Sequence, residues 1–295
     1  MHLVVTGSLG NVSQPLTQAL VAQGHAVTVV SSQPARRVAI EALGATAAIG
    51  SVADADFLAA AFTGADAVYL MVPPNFQEPD QPAYYSRLGR SYAQAVRQAG
   101  VGRVVYLSSW GADLDHGTGP ILGSHAGEAI MRGLPGVALT LLRPTSFYTN
   151  LYGFIGMIKA QGFMGANYGG DDRVSMVHPR DIATAAAEEL TTPASVGERV
   201  RYVASEDCTC AEAARVLGAA IGHPDLQWFT FTNEQMQATL ERNGLPAPAA
   251  AGVVDLYASI HNGRLGADYE LHKPVLGNVK LADFAQEFAA AFNAA

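Results

Sequence analysis

The opening residues constrain this chain most. An apolar run, His2-Leu3-Val4-Val5, leads straight into Thr6-Gly7-Ser8-Leu9-Gly10-Asn11-Val12-Ser13, and apolar residues at helical spacing, Leu16, Ala19 and Leu20, follow. The order is strand, tight glycine turn, helix. N–H groups at a helix start have no intrahelical partner and carry partial positive charge, so such a turn suits a phosphate. Gly7 and Gly10 let the chain turn sharply and let a pyrophosphate approach the backbone. Where a third glycine usually allows close helix–strand packing the chain has Ser13, still a small residue. A tight turn without a ligand is the alternative, and the strand before with the helix after argues against it. Thr6, Gly7, Ser8, Leu9, Gly10, Asn11 and Val12 are therefore candidate dinucleotide-binding residues.

The end of the next strand bears on which dinucleotide. Ala26-Val27-Thr28-Val29-Val30 is a β-branched run suited to a buried parallel strand. An NAD site places an acid about 20 residues beyond the glycines, to hold the ribose 2′-OH. Here that window reads Val30-Ser31-Ser32-Gln33-Pro34-Ala35-Arg36-Arg37, with two hydroxyls, two arginines and no carboxylate. Guanidinium pairs with a 2′-phosphate in bidentate fashion. The expectation is NADP(H) in preference to NAD(H), with Arg36 and Arg37 reading the extra phosphate and Ser31 beside them. Solvated arginines at a helix start are the alternative.

Strands and helices then alternate. Residues 45–50 read as a third strand, Asp54 to Phe62 as a helix with an Asp cap, and Ala67 to Val72 as a fourth strand stopped by Pro73-Pro74. Strand carboxyl ends form the ligand crevice of an open α/β sheet, so Val72 and Pro73 are candidates for a cofactor wall. An abrupt strand stop is the plainer reading. Gln77 to Pro82 reads as a surface loop, Tyr84 to Gln98 as a helix closed by Gly100, and Arg103 to Gly111 as a fifth strand running into a loop with Ser108 at the crevice. Gly111 to Gly123 is a long polar loop with Asp113, Asp115 and His116. A helix from Ser124, as N-cap, to Arg132 and a strand from Val137 to Leu142 follow. This alternation predicts an α/β, Rossmann-type doubly wound parallel sheet.

From Ser146 the character changes. Phe147, Tyr148, Asn150, Leu151, Tyr152 and Phe154 open an aromatic-rich helix, and Gly162 to Asp172 reads as irregular. Val174 to Ile182 reads as a short strand and a helix entered through Pro179. Arg199 to Ala204 reads as the last strand, with helices near 209–221, 233–242, 248–262 and 280–293. The predicted organisation is a dinucleotide-binding domain over 1–150, with 174–205 returning to it. A smaller, mostly helical substrate-binding part occupies most of 151–295.

Composition narrows the function class. Hydrophobic residues are 49% and charged ones 15%, enough apolar side chain for a sizeable core. A net charge of −8 argues against a nucleic-acid binder. No apolar run reaches the ~18 residues of a membrane span, and no charged leader with a cleavage site precedes the first strand. The expectation is a cytoplasmic protein acting on a small molecule, with neither membrane nor nucleic acid as partner. The two cysteines, Cys208 and Cys210, lack a second ligand pair and read as free thiols near a helix start, so no metal site is expected.

With the glycine turn, Pro73-Pro74, Ser108-Ser109-Trp110-Gly111, Leu142-Arg143-Pro144 and Val177-His178-Pro179-Arg180-Asp181-Ile182 in this order, the sequence resembles the NmrA-like family of atypical short-chain dehydrogenases/reductases. The resemblance implies a Rossmann NAD(P)-binding domain and a smaller C-terminal part closing over the substrate. It also implies NAD(P)H-dependent quinone or azo-dye reduction, or a dinucleotide sensor that turns nothing over and acts through a protein partner. Most short-chain reductases carry Tyr-x-x-x-Lys after the fifth strand. Here the matching helix reads Ser124-His125-Ala126-Gly127-Glu128, and Tyr269 to Lys273, far down the chain, reads as a coincidental match.

A conjugated acceptor takes hydride with modest proton assistance, which suits a site without that pair. His125 is the candidate catalytic residue, placed to touch the nicotinamide ribose or donate a proton; a structural helix-start histidine is the alternative. His178 reads as structural. The aromatics Phe147, Tyr148, Tyr152 and Phe154 read either as a flat pocket for an aromatic acceptor or as a core-packing stripe. The expected activity is NADPH-dependent hydride transfer to a quinone, enone or azo acceptor.

Overall fold

The computed structural model describes all residues except 76, 77 and 194. The first residue of the Gln77–Pro82 loop expectation thus lies outside the described residues. In chain order the elements are β1 (His2–Val5), α1 (Ser13–Ala22), β2 (Ala26–Ser31), α2 (Arg37–Glu41), β3 (Thr46–Ile49), α3 (Ala55–Phe62), β4 (Ala67–Leu70), α4 (Gln81–Ala99), β5 (Arg103–Leu107), α5 (Ile121–Arg132) and β6 (Ala138–Pro144). There follow β7 (Ser146–Phe147), α6 (Ile155–Gln161), β8 (Met164–Ala166), β9 (Arg173–Val177), α7 (Pro179–Thr191) and β10 (Gly197–Val203). The chain closes with β11 (Glu206–Thr209), α8 (Cys210–Ala220), β12 (Trp228–Thr230), α9 (Asn233–Arg242), α10 (Ala247–His261), α11 (Ala267–Leu271) and α12 (Leu281–Ala294). Two compact units result: Met1–Ser109 with Gly123–Arg143 and Ile182–Arg201, and Trp110–Leu122 with Pro144–Asp181 and Tyr202–Ala295.

The first unit is built on a seven-stranded sheet in the order β10-β6-β5-β4-β1-β2-β3. The strands from β3 across to β6 pair in parallel. Val4, Val68, Leu70, Val104, Tyr106 and Leu141 line one face and pack with Leu58 and Phe62 of α3, Leu88 and Tyr92 of α4 and Met131 of α5. Their alternates Leu3, Val5, Tyr69 and Val105 are buried as well. A sheet covered on both faces explains why these strands read as unbroken apolar runs rather than alternating ones. The order reverses at β1, which has β2 on one side and β4 on the other, and ligands of such sheets bind at that switch point.

The starts of α4 and α5 differ from expectation, and so does that of α6, since Phe147 lies in β7 and a 3-10 turn over Tyr148–Phe154 precedes the helix. Asp80 caps α4 by accepting from the Ala83 N–H at 2.8 Å, so Gln81 and Pro82 are helical rather than loop. The α5 helix begins at Ile121, where the Ile121 and Leu122 N–H groups bond the Thr118 and Gly119 carbonyls. Ser124 is therefore a buried residue inside the helix and not its N-cap. Asp54 caps α3 as expected, accepting from the Asp56 and Phe57 N–H groups.

The second unit carries a three-stranded sheet, β11-β9-β7, and a two-stranded one, β12-β8. The glycine-rich stretch is thus not wholly irregular, nor is β10 the last strand. A Cβ on Gly165 would lie 2.1 Å from the Phe231 ring, so glycine lets that aromatic close onto β8. Three of the four aromatics of the aromatic segment pack as core: Tyr148 stacks on Phe284 at 5.3 Å, Tyr152 on Phe288 at 6.1 Å, and Phe154 packs on Trp228 at 4.7 Å, while Phe147 is half-buried on β7. The polar loop after β5 is anchored by Arg264, whose Nη2 donates to the His116 and Gly117 carbonyls.

His178 is structural. Its Nδ1 accepts from the Arg180 N–H at 3.0 Å, which leaves the ring proton on Nε2, facing Glu287. Asp181 accepts from the Ser205 hydroxyl and the Asn278 and Val279 N–H groups, clamping the segment that enters α12. Cys208 and Cys210 are free and buried, and burial pushes both thiols up, Cys208 to about 12. Among the described residues no helix is long and apolar enough to cross a membrane.

Candidate functional site

The glycine turn lies at the switch point of the first unit, held by its own side chains. Thr6 is fully buried; its hydroxyl donates to the Tyr69 carbonyl at 3.1 Å and accepts from the Met71 N–H at 2.9 Å, stitching β1 to β4. Gly7 has φ +95°, and a Cβ there would stand 2.4 Å from Ser13 Oγ and 3.0 Å from Met71 Cγ. Ser13 Oγ in turn donates to the Thr6 carbonyl at 2.8 Å. The serine in the third glycine position therefore locks the turn, and it fills the space a side chain at residue 7 would need. Gly10 donates its N–H back to the Gly7 carbonyl at 3.1 Å. Val12 is buried at the N-cap of α1, while Leu9 is half-buried and Asn11 exposed. No side chain caps α1, and its first turn holds no acidic residue, in contrast to α3 with its Asp54 cap. A helix start left open in this way is free to receive an anion.

The second part of the expected cofactor site meets the first directly. Ser8, in the left-handed region at φ +55°, donates its N–H to the Val30 carbonyl and its hydroxyl to Ser31 Oγ at 2.9 Å. Ser31 Oγ also accepts from the Gln33 N–H at 3.2 Å. The two arginines diverge. Arg36 closes a 3-10 turn over Pro34–Arg36, exposed, with Nε donating to Gln33 Oε1 at 3.3 Å. Arg37 turns away, bonding Glu41 at 3.4 Å and the Ala47 carbonyl at 3.5 Å.

The exits of β4 and β5 are pinned from the helices. Tyr92 donates to the Met71 carbonyl at 2.6 Å and Tyr84 to the Pro73 carbonyl at 2.9 Å. Burial pushes both tyrosines up, which keeps them protonated donors at neutral pH. Val72 is buried and Pro73 half-buried beside them. At the end of β5, Ser108 donates to Glu128 Oε1 at 2.6 Å. Glu128 is completely buried and is gripped by Arg143, Nε to Oε1 at 2.8 Å and Nη2 to Oε2 at 2.7 Å. Arg132 adds a bond to Glu128 Oε2 at 3.0 Å and reaches on to Glu198 at 2.9 Å. The Ser108 proton is thus committed to a carboxylate, and its lone pairs are what it can present to a ligand.

His125 is half-buried on α5, one turn before Glu128. Helix and sheet approach closely here, since a Cβ on Gly127 would fall 2.1 Å from the Tyr106 hydroxyl. Sequence reasoning assigns no role to Glu128 or Arg143. The available signal is an arginine inside an otherwise apolar strand, which demands a buried counter-charge.

The distant Tyr-x-x-x-Lys match behaves as structure. Tyr269 donates to Asp207 Oδ1 at 2.9 Å, and Lys273 bonds Asp207 Oδ2 at 3.0 Å. Burial and the Asp207 charge push Tyr269 up to about 12, the wrong direction for a proton donor at neutral pH.

Together the switch point, the glycine turn packed against Ser13 and the uncapped start of α1 define a Rossmann-type nucleotide-binding unit. The chain belongs to the NAD(P)H-binding family, whose model matches residues 7–193. The match bears out the resemblance read from the motifs, and the open helix start and the glycine cradle fit such a cofactor. The chain is 27% identical to the NAD(P)H azoreductase of Xenophilus azovorans, over 99% of this chain and all of the relative. Among solved structures it superposes on triphenylmethane reductase of Citrobacter sp., with TM-score 0.82, 19% identity and coverage of 98% of this chain and 100% of that one. It also superposes on an NADPH-dependent quinone oxidoreductase of Escherichia coli, with TM-score 0.77, 22% identity and coverage of 97% and 98%. Both have also been solved with NADP(H) or NADPH, and at these identities the likeness is one of fold.

Proposed function

We propose that the protein is an NADPH-dependent reductase that passes hydride to a small conjugated or aromatic acceptor of the quinone, enone, azo or triphenylmethane-dye type. The observation that carries this reading is the junction of Ser8 with Ser31, and Arg36 just beyond, where an NAD site would place a carboxylate. The names of the azoreductase, quinone oxidoreductase and dye reductase support the acceptor class. Reduced nicotinamide, when bound, supplies the hydride. The chain's own part is to seat the pyrophosphate on the turn from Gly7 to Val12 and to hold the 2′-phosphate between Ser31 and Arg36. The Ser108–Glu128–Arg143 cluster fixes the floor at the end of β5. His125, whose imidazole can both accept and donate a proton, is the group assigned to the nicotinamide ribose or to proton delivery.

Two substitutions test the phosphate assignment. Arg36→Ala removes a charge-assisted contact worth about 1.5–3 kcal/mol and is expected to weaken NADPH roughly 10- to 100-fold, leaving NADH unchanged. Arg37→Ala, whose guanidinium is occupied by Glu41 and Ala47, is expected to change neither. Calorimetric titration of both dinucleotides into both variants reads this, and equal losses for NADPH and NADH would contradict it. Tight NADPH binding with no turnover on any acceptor would instead favour the sensor reading.

A further inference from the structure

The second unit contains a cavity of about 220 Å³ whose lining includes Trp110, Ser175, Asp207, Gly266 and Tyr269, and the dinucleotide reading leaves it without a role. It is smaller than the ~300 Å³ at which pockets for drug-sized ligands begin, so it admits one or two rings. Trp110 and Tyr269 are buried and meet edge to face, 6.4 Å apart at 89°, giving an aromatic corner.

The hydroxyls and the carboxylate beside the aromatic pair share one polarity, while the exposed Arg173 guanidinium also lines the cavity. Ser175 donates to Asp207 Oδ1 at 2.5 Å and Tyr269 donates to the same oxygen at 2.9 Å. Each hydroxyl has a single proton, so both are left presenting lone pairs. Lys273 takes Asp207 Oδ2 at 3.0 Å, and an ionised carboxylate oxygen has room for a second donor. Burial alone would raise the Asp207 carboxyl, but the bonds from Ser175, Lys273 and Tyr269 outweigh it and hold it below the usual carboxylate range. Asp207 already has a counter-charge in Lys273, which also pairs with Glu270 at 3.1 Å. Arg173 and Glu270 also line the cavity, so two cations, Arg173 and Lys273, stand against two carboxylates, Asp207 and Glu270, and the balance favours neither a cationic nor an anionic ligand.

We propose that this cavity is a ligand site for a neutral aromatic molecule of one or two rings carrying an O–H or N–H group. An acceptor-only molecule such as a quinone finds no proton offered by Ser175 or Tyr269 at the aromatic corner and has only the exposed Arg173 guanidinium as a side-chain donor. On the reductase reading, on which this clause alone rests, the site therefore prefers the reduced product class, hydroquinones and N–H-bearing azo reduction products, over the oxidised acceptor.

The test uses the full chain without dinucleotide, titrated calorimetrically with 2-naphthol and with 2-methoxynaphthalene, which share a ring system and differ in the donor. The expected result is at least ~10-fold tighter binding of 2-naphthol, about one lost hydrogen bond to a charged group. Gly266→Leu, at a helix-start residue with φ −93° whose Cβ would point to within 3.6 Å of Trp110, is expected to fill the cavity and abolish binding of both. Asp207→Asn is expected to bring the ratio of the two affinities close to one. Equal affinity in the wild type, no binding of either probe, or unchanged binding in Gly266→Leu would each overturn the proposal. NADPH titrated into the same samples reads the dinucleotide site separately. Absent naphthol selectivity beside intact NADPH binding therefore counts against this cavity alone.

Discussion

Glu128→Ala is expected to destabilise the fold by about 3–5 kcal/mol, because it breaks a buried ion pair by removing the carboxylate that grips Arg143. Arg143 is 3% exposed and Glu128 is fully buried, so neither charge can turn to solvent. In a chain of this length that corresponds to a fall in melting temperature on the order of 10 °C. Arg143→Ala should cost a similar amount, leaving Glu128 with Ser108 and the half-exposed Arg132. The double variant should cost much less than the sum of the two, since removing both partners removes the uncompensated charge. Thermal melts of the four proteins read this directly. Additive losses would show that the two side chains do not act as a pair. Loss of the pair also frees Ser108, so the end of β5 should lose its fixed geometry along with its stability.

Gly7→Ala is expected to weaken NADPH by ~100-fold or more, equivalent to about 2.7 kcal/mol. An alanine in the left-handed region is strained by roughly 1–2 kcal/mol. Its Cβ would also stand 2.4 Å from Ser13 Oγ, driving the serine off the Thr6 carbonyl and opening the turn. The second effect gives the prediction its internal control. Adding Ser13→Gly to Gly7→Ala removes the clashing oxygen and should recover part of the lost affinity, while the contact with Met71 at 3.0 Å keeps recovery incomplete. Calorimetry with NADPH reads both variants. An affinity unchanged in Gly7→Ala would mean that the pyrophosphate does not approach the backbone at this turn.

The same two places mark where the residues speak for themselves and where they do not. The turn is legible because a strand running into a helix through two glycines needs the tight, open backbone that glycine alone supplies. Asp54, Gly100 and the bounds of α9 follow from local rules of the same kind. The lock that Ser13 places on residue 7 is not legible, since it depends on how closely α1 packs on β1. Glu128 and Arg143 lie in separate segments, and only β5, β6 and α5 packed together make them one cluster. Ser124 looks like a cap because it precedes an apolar run, whereas the backbone bonds at Thr118 and Gly119 open the helix earlier. The strands β8, β11 and β12 leave little trace in the sequence: each is short, and β8 owes its glycine to the ring of Phe231, a residue distant along the chain. Arg36 and Arg37 are equivalent as letters, and only the 3-10 turn and the pull of Glu41 separate them.

Reductase function is tested most directly by following the nicotinamide absorbance of NADPH and of NADH in the presence of a quinone, an enone, an azo dye and a cationic triphenylmethane dye. At least one acceptor is expected to oxidise NADPH, faster than NADH at equal concentration, and Gly7→Ala is expected to raise the NADPH concentration the reaction needs by ~100-fold or more. No oxidation of NADPH by any of the four, or a faster reaction with NADH, would contradict it.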